Sequence, residues 1–120
     1  MRDLAKSEVL QLARGLAKSI YEHTDGFSRE ELYGLRSQIR RASVSVAANI
    51  AEGLGRGTQG DFERFLRIAS GSMAELEVLI DLARDLGALD EPSARDLLDA
   101  ADTTRRKLTN LVTRVAAQRN

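Results

Sequence analysis

A chain of 120 residues, 42% of them hydrophobic, makes one domain that can bury a core without covalent staples. It has no cysteine, which excludes disulfides and thiolate metal sites and suits the reducing cytoplasm, its expected location. Eighteen basic residues balance 18 acidic ones, a formal net charge of zero that argues against a generally basic nucleic-acid binder, and no apolar run is long enough for a membrane span.

Residues 4–22 place Val9, Leu12, Ala13, Leu16 and Ile20 on one stripe at helical spacing, and Gly26 breaks the pattern. Ser28, with Glu31 three residues on, has the pattern of a capping box worth about 1 kcal/mol, and it opens a second helix over 28–54. That stripe runs through Leu32, Leu35, Ile39, Ala42 and Val46, then turns polar at Asn49 and reaches Gly53. A buried amide without partners costs about 1–3 kcal/mol, so Asn49 demands something to bond to. Gly53, Gly55 and Gly57 end the helix.

Thr58 and Asp61 open a third helix over 58–87, with Phe62, Phe65, Ala69, Met73, Leu76, Ile80 and Ala83 facing the core. A second row, Ile68, Ser72, Glu75, Leu79, Leu82 and Leu86, lies beside it and predicts burial on two sides, inside the bundle and against another subunit. Asp90 caps a fourth helix over 90–118, Pro92 is tolerated in its first turn, and Leu97, Ala101, Leu108, Leu111, Val112 and Val115 form its stripe. Helices of this length joined by short connections must lie antiparallel. The predicted fold is all-α, a single-domain up-down-up-down four-helix bundle over residues 1–120.

Ser45, Asn49 and Glu52 share one face of the second helix, while Ser72 and Glu75 sit one turn apart on the third. Small residues at Ala42, Ser43, Ala69 and Gly71 let these helices approach closely, so the two sets are expected to meet, with Arg41 as charge partner for a carboxylate. One reading is a pocket built on paired carboxylates. The other is a polar network that fixes helix register and the oligomer, and the lack of a nearby nucleophile or histidine base favours it. His23, the one histidine, falls in a loop and no Glu-x-x-His occurs, so no metal, cofactor or catalytic residue is expected. The Gly53–Gly57 stretch lacks the Lys-Ser/Thr ending of a phosphate loop and reads as helix punctuation.

Two basic groups stand out: Arg36, Arg40 and Arg41 as an exposed stripe, and Arg105, Arg106, Lys107, Arg114 and Arg119 near the C-terminus. Cations there complement the helix dipole, and they also form the candidate nucleic-acid contacts. With two tyrosines, three phenylalanines and no tryptophan to spare from packing, any such contact is to phosphates and independent of base sequence.

The run Asn49-Ile50-Ala51-Glu52-Gly53, followed by Asp61-Phe62, Arg64-Phe65-Leu66, Gly71-Ser72 and Glu75-Leu76-Glu77, carries a resemblance. With Phe27, Tyr33-Gly34-Leu35 and Leu86-Gly87, it resembles the signature of small four-helix-bundle proteins encoded in intervening sequences of bacterial large-subunit ribosomal RNA genes. That group includes the accessory variability protein of diversity-generating retroelements, a basic pentamer that binds nucleic acid. The resemblance implies a ring-like homopentamer of four-helix protomers. The expected function is a non-enzymatic homo-oligomeric scaffold that binds RNA or DNA through phosphates, the alternative being a protein-interaction adaptor with no nucleic-acid affinity.

Overall fold

A computed structural model describes residues 2–27 and 30–118, the Glu31 side chain excepted. It contains four α-helices: α1 (Glu8–Thr24), α2 (Tyr33–Leu54), α3 (Gln59–Asp85) and α4 (Glu91–Ala117). Single 3-10 turns at Leu4–Lys6 and Glu30–Leu32 precede α1 and α2. The helices pack in the cyclic order α1, α2, α3, α4, with α2 on α3 the most extensive contact, giving an antiparallel bundle of 49 × 22 × 21 Å. Ile20, Ile39, Val46, Ile50, Leu66, Met73, Leu76, Ile80, Leu97 and Leu108 fill its axis. Among the described residues there is no strand.

Side-chain chemistry sets the helix ends. Ser7 caps α1 by accepting from the Leu10 amide at 3.1 Å, so the helix starts at Glu8 and not at the expected residue 4. Asp3 caps the preceding turn through the Ala5 amide. The expected Ser28 cap lies outside the described residues, and α2 begins at Tyr33 with no side-chain cap. Thr58 accepts from the Asp61 amide at 3.1 Å and Asp90 from the Ser93 amide at 2.8 Å, which start α3 and α4. The Ser93 hydrogen bonds hold the Asp90 carboxyl below its ordinary value of 3.8. At the other end of α3, Gly87 adopts φ +76°, a conformation costly for residues with a Cβ, and the Ala88 amide bonds back to the Ala83 carbonyl at 2.8 Å.

The buried face of α2 matches the predicted stripe at Ile39, Ala42, Val46 and Gly53 and departs from it at one place. Ile39, Ala42, Ser43, Val46, Ile50, Gly53 and Leu54 are buried, so Ile50 takes the inward place and Asn49 lies half-buried at the edge toward α3. In α3 the predicted stripe is buried except at Phe65, which is half-exposed while Leu66 turns inward. Both changes put an aliphatic side chain inside and a group with polar or cationic partners at the rim. In α4, Thr104 occupies the stripe between Ala101 and Leu108, its hydroxyl donating to the Ala100 carbonyl at 2.9 Å.

Candidate functional site

The sequence-derived polar residues meet in part, on the α2–α3 seam. Gly53 brings the two helices close: a Cβ there would stand 3.1–3.3 Å from atoms of Phe62 and Phe65, tighter than ordinary contact. Along this seam the Ser45 and Ser72 hydroxyls lie 2.8 Å apart. Asn49 donates its amide to the Ser45 carbonyl at 2.9 Å and to the Ser45 hydroxyl at 3.1 Å. Glu52 stands outside this chain of bonds and pairs with Arg56 at 3.2 Å, one turn along the surface of α2. Glu75 shares an open groove of about 370 Å³ with Gln38, Arg41, Ala42 and Ser45. Arg41 and Glu75 both reach this groove, yet neither forms an ion pair among the described residues.

Beside the groove runs the second row of α3. Leu79 is buried in the bundle, but Ile68 (42%), Val78 (65%), Leu82 (42%) and Leu86 (60%) stay exposed. These residues project from one side of α3, with Gly71 and Glu75 between them, and form an apolar ridge that no other helix of the bundle covers among the described residues.

The basic residues are mostly engaged within the chain. Arg40 does not belong to an exposed stripe: its side chain is 23% exposed and ties α2 to the end of α1. It donates to the Thr24 hydroxyl at 2.9 Å and the Tyr21 carbonyl at 3.1 Å, stacks on the Tyr21 ring, and lies 3.8 Å from Asp25. Arg36 donates to the Phe27 carbonyl and packs against Tyr33. Arg105 pairs with Glu77 of α3 at 3.2 Å and with Asp102. Arg106 shares Asp102 at 3.0 Å, and Lys107 reaches Glu8 of α1 at 3.0 Å. Arg114 is exposed and, like Arg41, has no carboxylate partner among the described residues; Arg119 lies outside them.

Three arginines that the sequence reading did not select gather where α2 turns into α3. Arg2 stacks 3.9 Å over the Phe62 ring and donates to the Arg56 carbonyl at 2.7 Å and to the Gln59 side-chain oxygen. Arg56 and Arg64 each stack on Phe65, at 4.7 and 4.4 Å, and the Arg56 Nε is buried there without a hydrogen-bond partner. Aromatic residues beside arginines in a glycine-rich turn were the available signal. Glu63 also escaped notice: it is buried at 5% exposure on α3 and bonds Arg67 at 2.8 Å.

The neighbours of the Ser45 hydroxyl, Ser72 and Asn49, cannot take its proton. His23 is held by the Ser19 carbonyl, to which Nδ1 donates at 2.8 Å. Among the described residues no group of three or more His, Asp or Glu converges on a metal position, and no helix is long and apolar enough to cross a membrane.

The fold and its α2–α3 seam define a small all-α bundle protein in which a Ser45–Ser72 hydrogen bond joins two of the helices. A model of the 23S rRNA-intervening sequence protein family matches residues 5–110, and the chain belongs to that family. Among solved structures it is similar to a protein of unknown function from the S23 ribosomal protein family of Bacteroides thetaiotaomicron. The two are 20% identical with a TM-score of 0.81, over 87% of this chain and 97% of that one, a likeness of fold. No curated protein matches the chain.

Proposed function

We propose that the protein is a non-enzymatic, homo-oligomeric helical scaffold, assembled through the outer face of α3, that contacts RNA or DNA through phosphates. The observation that carries the reading is the uncovered ridge of Ile68, Val78, Leu82 and Leu86. A second copy is the occupant that fits it. Arg41 and Glu75 stand beside the ridge without ion pairs, and a second copy docked on this face can supply a charge partner for each. Five is the ring size that the family resemblance implies. Burial of apolar area supplies the drive, at roughly 25 cal/mol per Å².

Light scattering tests the assembly. Wild-type protein is expected as an oligomer at micromolar concentration, and Val78→Glu/Leu82→Glu as a monomer with unchanged helical circular dichroism. Both side chains are exposed in the protomer, so the double variant still folds. A monomeric wild type overturns the scaffold reading.

One observation favours a second reading, the protein-interaction adaptor. Arg105, Arg106 and Lys107 are already paired with Glu77, Asp102 and Glu8, which lowers their capacity for phosphate. An adaptor shows no affinity for nucleic acid at physiological salt.

A further inference from the structure

At the end of the bundle where α1 begins and α4 finishes, an open cavity of about 490 Å³ enters the protein. Its size falls within the roughly 300–1,000 Å³ typical of small-molecule sites. Val9, Leu54 and Phe62, buried core residues of three different helices, form its floor together with the half-buried Leu111. Lys6 and Arg114, both exposed, stand at its rim.

The charges at this rim are unevenly matched. Glu8 is neutralised by Lys107 at 3.0 Å, and Asp3 accepts from the Ala5 amide at 3.0 Å. Neither Lys6 nor Arg114 has a carboxylate within ion-pair distance among the described residues. Arg2 closes one side of the cavity, fixed over Phe62 by its bonds to Arg56 and Gln59, so three cations stand against the single charge of Asp3 and the rim stays net positive. An apolar floor under unpaired cations recognises a particular chemistry. Inorganic phosphate and a phosphodiester backbone satisfy the cations but leave the floor unmatched; an uncharged hydrocarbon does the reverse.

We propose that this cavity binds a small organic anion with an apolar body. Its carboxylate, or another singly or doubly charged headgroup, lies between Lys6 and Arg114, and its body rests on Leu111 beside Val9. The site is separate from the α2–α3 seam and from the ridge on α3, and it stands whether or not the protein assembles.

Isothermal titration with decanoate, decylammonium and inorganic phosphate tests the proposal on the wild type and on Lys6→Ala/Arg114→Ala. Decanoate is expected to bind once per protomer, about tenfold or more tighter than decylammonium, which has the same chain and the opposite charge. The double variant is expected to lose about tenfold in decanoate affinity with its circular dichroism unchanged. Equal affinity for the two chains, or an unchanged affinity in the double variant, places decanoate on an unspecific apolar surface such as the ridge on α3 and overturns the proposal. So does displacement of decanoate by an equal concentration of inorganic phosphate, or no decanoate binding.

Discussion

A methyl group on Gly53 would stand 3.1 Å from Phe65 Cβ, 3.2 Å from Phe62 Cδ1 and 3.3 Å from the Phe62 carbonyl oxygen. Two of those three atoms belong to the backbone or to the first side-chain carbon of α3, so relief requires the helices to part. Overpacking of this kind costs about 1–3 kcal/mol, while exchanging glycine for alanine in a helix returns up to about 1 kcal/mol. Gly53→Ala is therefore expected to lose about 1–2 kcal/mol. Gly15 offers the opposite case, since nothing lies within 4 Å of a Cβ on that exposed face of α1. Gly15→Ala is expected to gain about 0.5–1 kcal/mol. Urea midpoints measured with unchanged m-values check both signs. Destabilisation by both variants, or by neither, removes close α2–α3 approach as the reason for glycine at position 53.

Between elements, a tie outside the core joins the end of α1 to α2. The Thr24 hydroxyl, fully buried, donates to the Ile20 carbonyl at 2.7 Å and accepts from Arg40 Nε at 2.9 Å. Thr24→Val keeps the shape and removes the acceptor, which strands a guanidinium N–H and costs about 1–3 kcal/mol. In a thermodynamic cycle with Arg40→Ala, the coupling between the two changes is expected to exceed about 0.5 kcal/mol; additive losses would mean that the bond contributes nothing. The tie also shows where sequence reading stops. Thr58, Asp90 and Gly87 mark helix ends through bonds made within a few residues, so these ends are legible in the chain itself. The inward choice between Asn49 and Ile50, or between Phe65 and Leu66, depends on how the neighbouring helix is rotated, and a 3–4 spacing accommodates either. Partners such as Glu77 for Arg105 and Glu8 for Lys107 sit on other helices, so an isolated basic run gives no sign that its charge is already matched. For the candidate site, the Ser45–Ser72 contact required only facing small residues, whereas Arg2 over Phe62 required the fold.

Across the whole molecule, the zero net charge separates into two ends. With each helix divided at its middle, residues 2–16, 44–72 and 105–118 carry ten basic and five acidic side chains. Residues 17–27, 30–43 and 73–104 carry six basic and thirteen acidic ones. Because the bundle is antiparallel, these sets occupy opposite ends of a body 49 Å long. The screening length at physiological salt is about 8 Å, so a polyanion at the basic end is shielded from the acidic one. Neutrality of the chain is thus a poor guide to its partners, and the two basic groups picked out in the sequence are not equivalent. Arg114 lies in the basic half, whereas Arg36, Arg40 and Arg41 lie in the acidic half. On the nucleic-acid reading, structured RNA binds end-on, with affinity that falls steeply with salt. Lys6→Ala/Arg114→Ala is expected to weaken binding and reduce the magnitude of the salt slope by about one per lost phosphate contact, while Arg36→Ala/Arg41→Ala leaves the slope unchanged. Titration of labelled RNA across a salt series separates the cases. An equal effect of the two double variants would mean that the charge separation does not orient the complex, and no affinity even at low salt would leave the adaptor as the reading that fits.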